Sequence, residues 1–207
     1  MMDKAEKFWD KQSIRFEKQI HRDEESFVKI IEKTRKYLNN SDKVLDFACG
    51  IGTSSINMID HVKEIQAIDI SSGMIEVAKK RMNKLPQKNI DFIHTSLFDE
   101  QFKSGSFDVI TAFNILHLLE EPKIEIHRIY DLLKPGGLFI SSSAFLGEKS
   151  AFRFIFFLMS KMRIVPHLKL LKIDEFENLV ISENFKIIET QTSNHPTPNG
   201  FITAKKV

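Results

Sequence analysis

The chain has 207 residues, 42% of them hydrophobic and 28% charged, with a formal net charge of +2. That is enough for one domain with a sizeable core, and the charge is too mild to argue for a nucleic-acid partner. Cys49 is the only cysteine, which excludes an intramolecular disulfide and a cysteine-based metal cluster and fits a reducing, cytoplasmic setting.

The first forty residues read as helical and polar. Phe8, Trp9, Ile14 and Phe16 are spaced for one apolar helix face, and Phe27, Ile30, Ile31, Thr34 and Leu38 repeat the pattern. The N-terminus is charged and carries no apolar signal core. Asn39-Asn40-Ser41-Asp42 is a turn.

The rhythm then changes. Val44–Ala48 is a short apolar strand, Thr53–Ile59 a helix and Glu64–Ile70 a second strand that closes on Asp69. Ser71 is placed to cap a helix running to about Asn83. Ile90–His94 and Phe107–Phe113 are the third and fourth strands. A helix over Pro122–Leu133 starts on proline and is followed by Pro135-Gly136-Gly137. Leu138–Ser142 is the fifth strand. Ile173–Glu183 reads as a helix with Asn184 in the left-handed closing position. Phe185–Gln191 and Phe201–Lys205 then form a hairpin. Alternating strands and helices with short links predict an α/β fold: a Rossmann-like, seven-stranded, mostly parallel sheet with helices on both faces and an antiparallel C-terminal hairpin. Ligands of such sheets bind outside the carboxyl ends of the strands.

The turn after the first strand is the most informative stretch. In Asp46-Phe47-Ala48-Cys49-Gly50-Ile51-Gly52-Thr53, the glycines allow close backbone approach to a ligand, and the helix start offers amides to a negative group. The third glycine of a dinucleotide fingerprint is replaced by Ser55. Asp46 at the strand end would repel a pyrophosphate and attract a cation. Asp69 lies 19 residues beyond Gly50, where an acid accepts hydrogen bonds from ribose hydroxyls. The two acids and the glycine pair favour an adenosine-containing ligand with a positive centre over an ordinary strand-to-helix loop.

Val44–Thr53 resembles the first motif of the class I S-adenosylmethionine (SAM)-dependent methyltransferases, in the small-molecule branch that includes ubiquinone and menaquinone biosynthesis enzymes. Ala48 stands where that family usually has glycine. Ala67–Ser71 is similar to the second motif, which implies Asp69 as the ribose ligand, Ile70 as an adenine neighbour and Met74 packed near the adenine. In Thr95-Ser96-Leu97-Phe98, Ser96 occupies the place of the usual adenine-binding acid, and the Leu97 amide is implied as a partner of a ring nitrogen. Ser106–Asn114 resembles the fourth motif, with backbone near Asn114 facing the methionine part, and Leu132–Gly137 resembles a late structural turn. Phe8–Phe16 looks like the family's N-terminal lid, so Trp9 and Phe16 are implied to close over the site, with residues 1–40 as a helical lid and 41–207 as the SAM-binding methyltransferase domain.

Methyl transfer from a sulfonium needs position and desolvation more than acid–base chemistry. His117, just past the fourth strand, is the candidate base, set against a histidine that merely packs the next helix. His94, His127 and His167 have weaker claims. No residues have metal-ligand spacing. The segment after Asn114 lacks the prolines and aromatic found in enzymes that methylate bases of nucleic acids, so the acceptor is expected to be a small molecule. Residues 147–172 are Phe-rich and carry six basic residues against one acid. They are expected to be an insertion shaping a hydrophobic acceptor pocket, with peripheral membrane or lipid contact weighed against a lid or a dimer interface. Two other functions stay open: an NAD(P)-dependent oxidoreductase, suggested by Tyr130-x-x-x-Lys134, and a non-catalytic SAM-binding module.

Overall fold

A computed structural model describes residues 4–86, 89–144, 172–193 and 199–207. In chain order, the described elements are α1 (Lys4–Lys18), α2 (Ile20–Arg35), β1 (Lys43–Phe47), α3 (Thr53–Met58), β2 (Glu64–Asp69), α4 (Ser72–Met82), β3 (Ile90–His94), β4 (Phe107–Phe113), α5 (Pro122–Leu132), β5 (Leu133–Ala144), α6 (Ile173–Ser182), β6 (Phe185–Ser193) and β7 (Asn199–Lys206). The expected insertion at 147–172 lies outside the described residues apart from Lys172.

The strands form one seven-stranded sheet in the order β3-β2-β1-β4-β5-β7-β6. β3, β2, β1, β4 and β5 are mutually parallel, and β7 and β6 run antiparallel at the end. The order reverses between β1 and β4. Connections leave these two strands in opposite directions, which opens a crevice beyond their carboxyl ends.

The apolar runs follow from this architecture. Val44 and Leu45 are both fully buried because successive side chains of a central strand point to opposite faces, each covered by helices. Leu45 and Ile110 join one core with Ile126 and Ile129 of α5 and Phe176 of α6. Val44 and Val109 join the other with Ile31 of α2, Met58 of α3 and Ala78 of α4. α2 is therefore part of the sheet's packing, and α1 lies against α4.

Ser71 caps α4 by accepting the Met74 N–H at 3.1 Å, and Asn184 closes α6 with φ of 63°, both as the residue types require. β5 differs from its expected range. It begins at Leu133, which pairs with Phe107, and its register against β4 then jumps to Leu138 opposite Val109. The extra residues Lys134–Gly137 are looped out where proline has no N–H to give and Gly136 adopts φ of 77°. The hairpin strands are also longer than their apolar segments, with Thr192 opposite Gly200 and Ser193 opposite Asn199. Backbone pairing carries them into polar sequence.

Candidate functional site

A cavity of about 260 Å³ sits at the point where the strand order reverses. Its floor comes from the turn after β1 (Ala48, Cys49, Gly50, Ile51), its sides from Asp69 and Ile70 after β2 and from Phe113, Asn114 and Ile115 after β4, and its cover from Trp9 and Phe16 of α1. Three strand ends and α1 thus converge, with Phe27 of α2, Thr53 and Ser54 of α3 and Met74 of α4 completing the wall.

The β1 turn is held in a demanding conformation. Ala48, Gly50 and Gly52 all have positive φ, of 57°, 55° and 77°. For alanine this costs about 1–2 kcal/mol, so the departure at Ala48 is not neutral. Gly50 and Gly52, expected to serve the ligand together, have separate tasks. A Cβ on Gly50 would meet nothing within 4 Å, and this residue lines the cavity. A Cβ on Gly52 would strike the Phe92 ring at 2.7 Å. Gly52 is absent from the wall and instead lets the start of α3 pack against β3.

The two acids also divide. Asp69, 8% exposed, faces the cavity with its carboxylate oriented by two backbone amides: Gly50 N–H donates to Oδ2 at 2.9 Å and Ser71 N–H to Oδ1 at 2.8 Å. Burial pushes its pKa up, and the two amides partly offset that. Each oxygen retains a free lone pair for a neighbouring diol.

Asp46 is fully buried and lies behind the wall, not on it. Three hydroxyls donate to it: Ser54 at 2.6 Å, Ser55 at 2.5 Å and Thr111 at 2.7 Å. Burial raises its pKa while these hydroxyls counter the rise. Only Ser54 of the three also lines the cavity, so the negative charge of Asp46 reaches the cavity through one hydroxyl. The residue in the third fingerprint position, Ser55, is used to hold Asp46.

Ile70, Met74 and Asn114 line the cavity. Asn114 is itself left-handed, with φ of 56°, and its N–H donates to the Ser142 carbonyl at 2.7 Å. Ser96 and Leu97 do not line it. Leu97 is buried in the α5-side core, and Ser96 is exposed in a turn in which Asp99 accepts from the Thr95 hydroxyl at 2.6 Å. These two positions, expected to contact adenine, are therefore not part of the wall.

His117, the candidate base, is not among the residues that line the cavity. It is in the short 3₁₀ turn Leu116–Leu118, and its buried Nδ1 has no hydrogen-bond partner among the described residues. Burial lowers its pKa to about 4. His94 Nε2–H donates to the Ile70 carbonyl at 3.0 Å, and His127 pairs with Glu183 at 2.8 Å. His167 lies outside the described residues. The Tyr130–Lys134 pair is also structural: Tyr130 donates to the Val207 carbonyl and Lys134 binds Asp108 at 2.7 Å, at the amino ends of the strands. Among the described residues, no cluster of three or more His, Cys, Asp or Glu is arranged to hold a metal ion, and no helix is long and apolar enough to cross a membrane.

Sequence reading missed several wall residues: Phe27, Phe113, Ile115 and Leu118. Phe27 packs edge-to-face on Phe113 with ring centroids 6.3 Å apart. An apolar residue after a strand looks the same whether it faces a core or a cavity, so only the fold separates the two.

The class this defines is a doubly wound α/β domain with a crevice beyond the carboxyl ends of β1, β2 and β4. Residues 44–137 match the family described as methyltransferase domain. The chain is 30% identical over 152 residues, 70% of its length, to a mitochondrial ubiquinone biosynthesis O-methyltransferase from Schizosaccharomyces pombe, of which it spans 55%. It is 33% identical over 96 residues, 46% of its length, to a demethylmenaquinone methyltransferase from Clavibacter sepedonicus, of which it spans 38%. A SAM-dependent methyltransferase from Methanosarcina mazei shares the fold with a TM-score of 0.72 at 18% identity, over 84% of this chain and 96% of that one.

Proposed function

We propose that this protein transfers a methyl group from SAM to a small hydrophobic acceptor. The observation that carries the reading is Asp69. Its carboxylate is turned into the cavity by the Gly50 and Ser71 amides, next to a glycine whose missing Cβ leaves open space. That pairing suits a ribose diol lying against the β1 turn. Ile70 and Met74 would flank the adenine, and Gly50 and Asn114 would border the methionine part. Asp46, acting through Ser54, would favour a positive sulfonium over a pyrophosphate.

SAM supplies an activated methyl group, and the residues of the chain bind, orient and exclude water. Trp9, Phe16, Phe27 and Phe113 give the rest of the cavity an apolar, largely aromatic lining. A neutral, ring-bearing acceptor fits such a wall. The two relatives named for ubiquinone and menaquinone biosynthesis support a quinone-type precursor. His117 has no part in this chemistry. The division into a lid and a catalytic domain is narrowed to α1 over residues 41–207, with α2 in the core. A cytoplasmic setting and lipid contact through 147–172, both resting on the sequence alone, belong to the same proposal.

Calorimetric titration with SAM, S-adenosylhomocysteine and NAD tests it. Binding of the first two and not of NAD is expected. Binding of NAD without SAM would overturn the reading in favour of an oxidoreductase, and SAM binding without transfer to any of a panel of quinol and phenol acceptors would leave only a binding module.

A further inference from the structure

α1 packs along α4, with Glu17 and Lys80 3.9 Å apart far along that helix and Trp9 and Phe16 against Ile51, Met74 and Val77; several of its polar contacts gather at the start of α4. Asp10 Oδ1 accepts from the Ser71 hydroxyl at 2.7 Å and from the Gly73 N–H at 3.0 Å. Ser71 is the cap of α4, and its own N–H holds Asp69. Ser13, one turn further along α1, sits so close to Gly73 that a Cβ there would lie 2.6 Å from the serine hydroxyl. Toward the start of α1, Glu6 meets His94 at 3.3 Å, and the same His94 nitrogen contacts the Ile70 carbonyl. These contacts fall on Ser71 and Gly73 at the start of α4 and on His94, whose Nε2 also meets the Ile70 carbonyl. Between them, Trp9 and Phe16 are laid over the cavity.

We propose that Asp10 is a positioning residue, the latch that fixes α1 across the cavity, so that an adenosyl ligand enters and leaves only when the bonds from Ser71 and Gly73 to Asp10 are broken. This rests on the SAM reading of the cavity. A carboxylate at the start of α4 is favoured by the helix dipole as well as by the two donors. The ionised form of Asp10 is the one the latch holds: burial works against it, but the Ser71 and Gly73 bonds outweigh burial and keep its pKa below the usual value. The latch and the ribose-facing carboxylate share Ser71, so ordering of Asp69 and closure of α1 reinforce each other.

Trp9 is the only tryptophan and lies in the cover itself, so its fluorescence reports closure. The experiment is stopped-flow fluorescence of the full chain with S-adenosylhomocysteine, for the wild type, Asp10→Ala and Gly73→Ala. Loss of two hydrogen bonds to a carboxylate is expected to raise both the association and the dissociation rate constants by roughly tenfold or more. Gly73→Ala leaves Asp10 intact and suits the interior of α4, but it pushes Ser13 away and should raise both rates as well. A variant that merely weakened the fold would not speed association. Should Asp10→Ala fail to fold, Gly73→Ala decides. Rates within twofold of wild type in the folded variants would overturn the latch while leaving the cofactor reading intact. A wild type that gives neither fluorescence change nor calorimetric heat with S-adenosylhomocysteine would overturn both.

Discussion

The Ser55 hydroxyl lies 2.5 Å from the carboxylate of Asp46, in a fully buried network that Ser54 and Thr111 complete. This pair ties the end of β1 to the start of α3 and, through Thr111, to β4. It sets the shape of the turn on which the cavity is built. Asp46→Ala leaves three buried hydroxyls without their acceptor, and a loss of about 2–4 kcal/mol of stability is expected. Ser55→Gly removes one of the three bonds and should cost about 1 kcal/mol or more, chiefly through the helix and the lost bond. Urea unfolding of the two variants measures both. An Asp46→Ala protein as stable as wild type would remove the structural role.

Asp69 is expected to act on the ligand more than on the fold. Asp69→Ala should weaken SAM and S-adenosylhomocysteine binding by roughly ten- to a hundredfold, the range for hydrogen bonds to a charged group. Calorimetry measures the loss, and circular dichroism checks that α4 is intact.

Ala48 carries strain that its side chain does not repay. With φ at 57°, Ala48→Gly should raise stability by about 0.5–1 kcal/mol after the extra freedom glycine gives the unfolded chain is subtracted. Ala48→Val should lower it. Thermal melts of both, run side by side, settle the sign.

His117 sets an acid limit to stability. Its pKa falls from 6.5 to about 4 on folding, so the unfolded chain binds the extra proton between those values. The native state is unaffected above pH 6.5 and loses stability as pH drops toward 4, by on the order of 2 kcal/mol at pH 5. His117→Leu should flatten that limb in unfolding measurements from pH 7.5 to 5. Methyl-transfer rates at pH 7.5 should stay within about twofold, since this side chain does not touch the cavity.

The fold was largely legible in the sequence because its strands are buried on both faces and its helices carry clear end signals. Ile90–His94 and Phe107–Phe113 read directly as apolar runs, and Ser71 and Asn184 as a cap and a stop. β5 was less legible, since Pro135 and Gly136 mark a break in local geometry while the backbone still belongs to the strand. At the site, Asp69 could be read from its spacing to Gly50. Asp46 could be read as important but not as buried behind three hydroxyls, because Ser54 and Ser55 turn toward it only once α3 forms and Thr111 comes from β4, 65 residues along the chain. Asp10 gave no signal at all: an acid in a polar helix looks solvated until tertiary structure brings the start of α4 beneath it.

The most direct measurement is a crystal structure of the protein with S-adenosylhomocysteine. The ribose hydroxyls should lie within hydrogen-bond distance of the Asp69 carboxylate, the adenine between Ile70 and Met74, and the sulfur toward Asn114 beneath Trp9 and Phe16. A ligand bound elsewhere, or one with its ribose turned away from Asp69, would contradict the account.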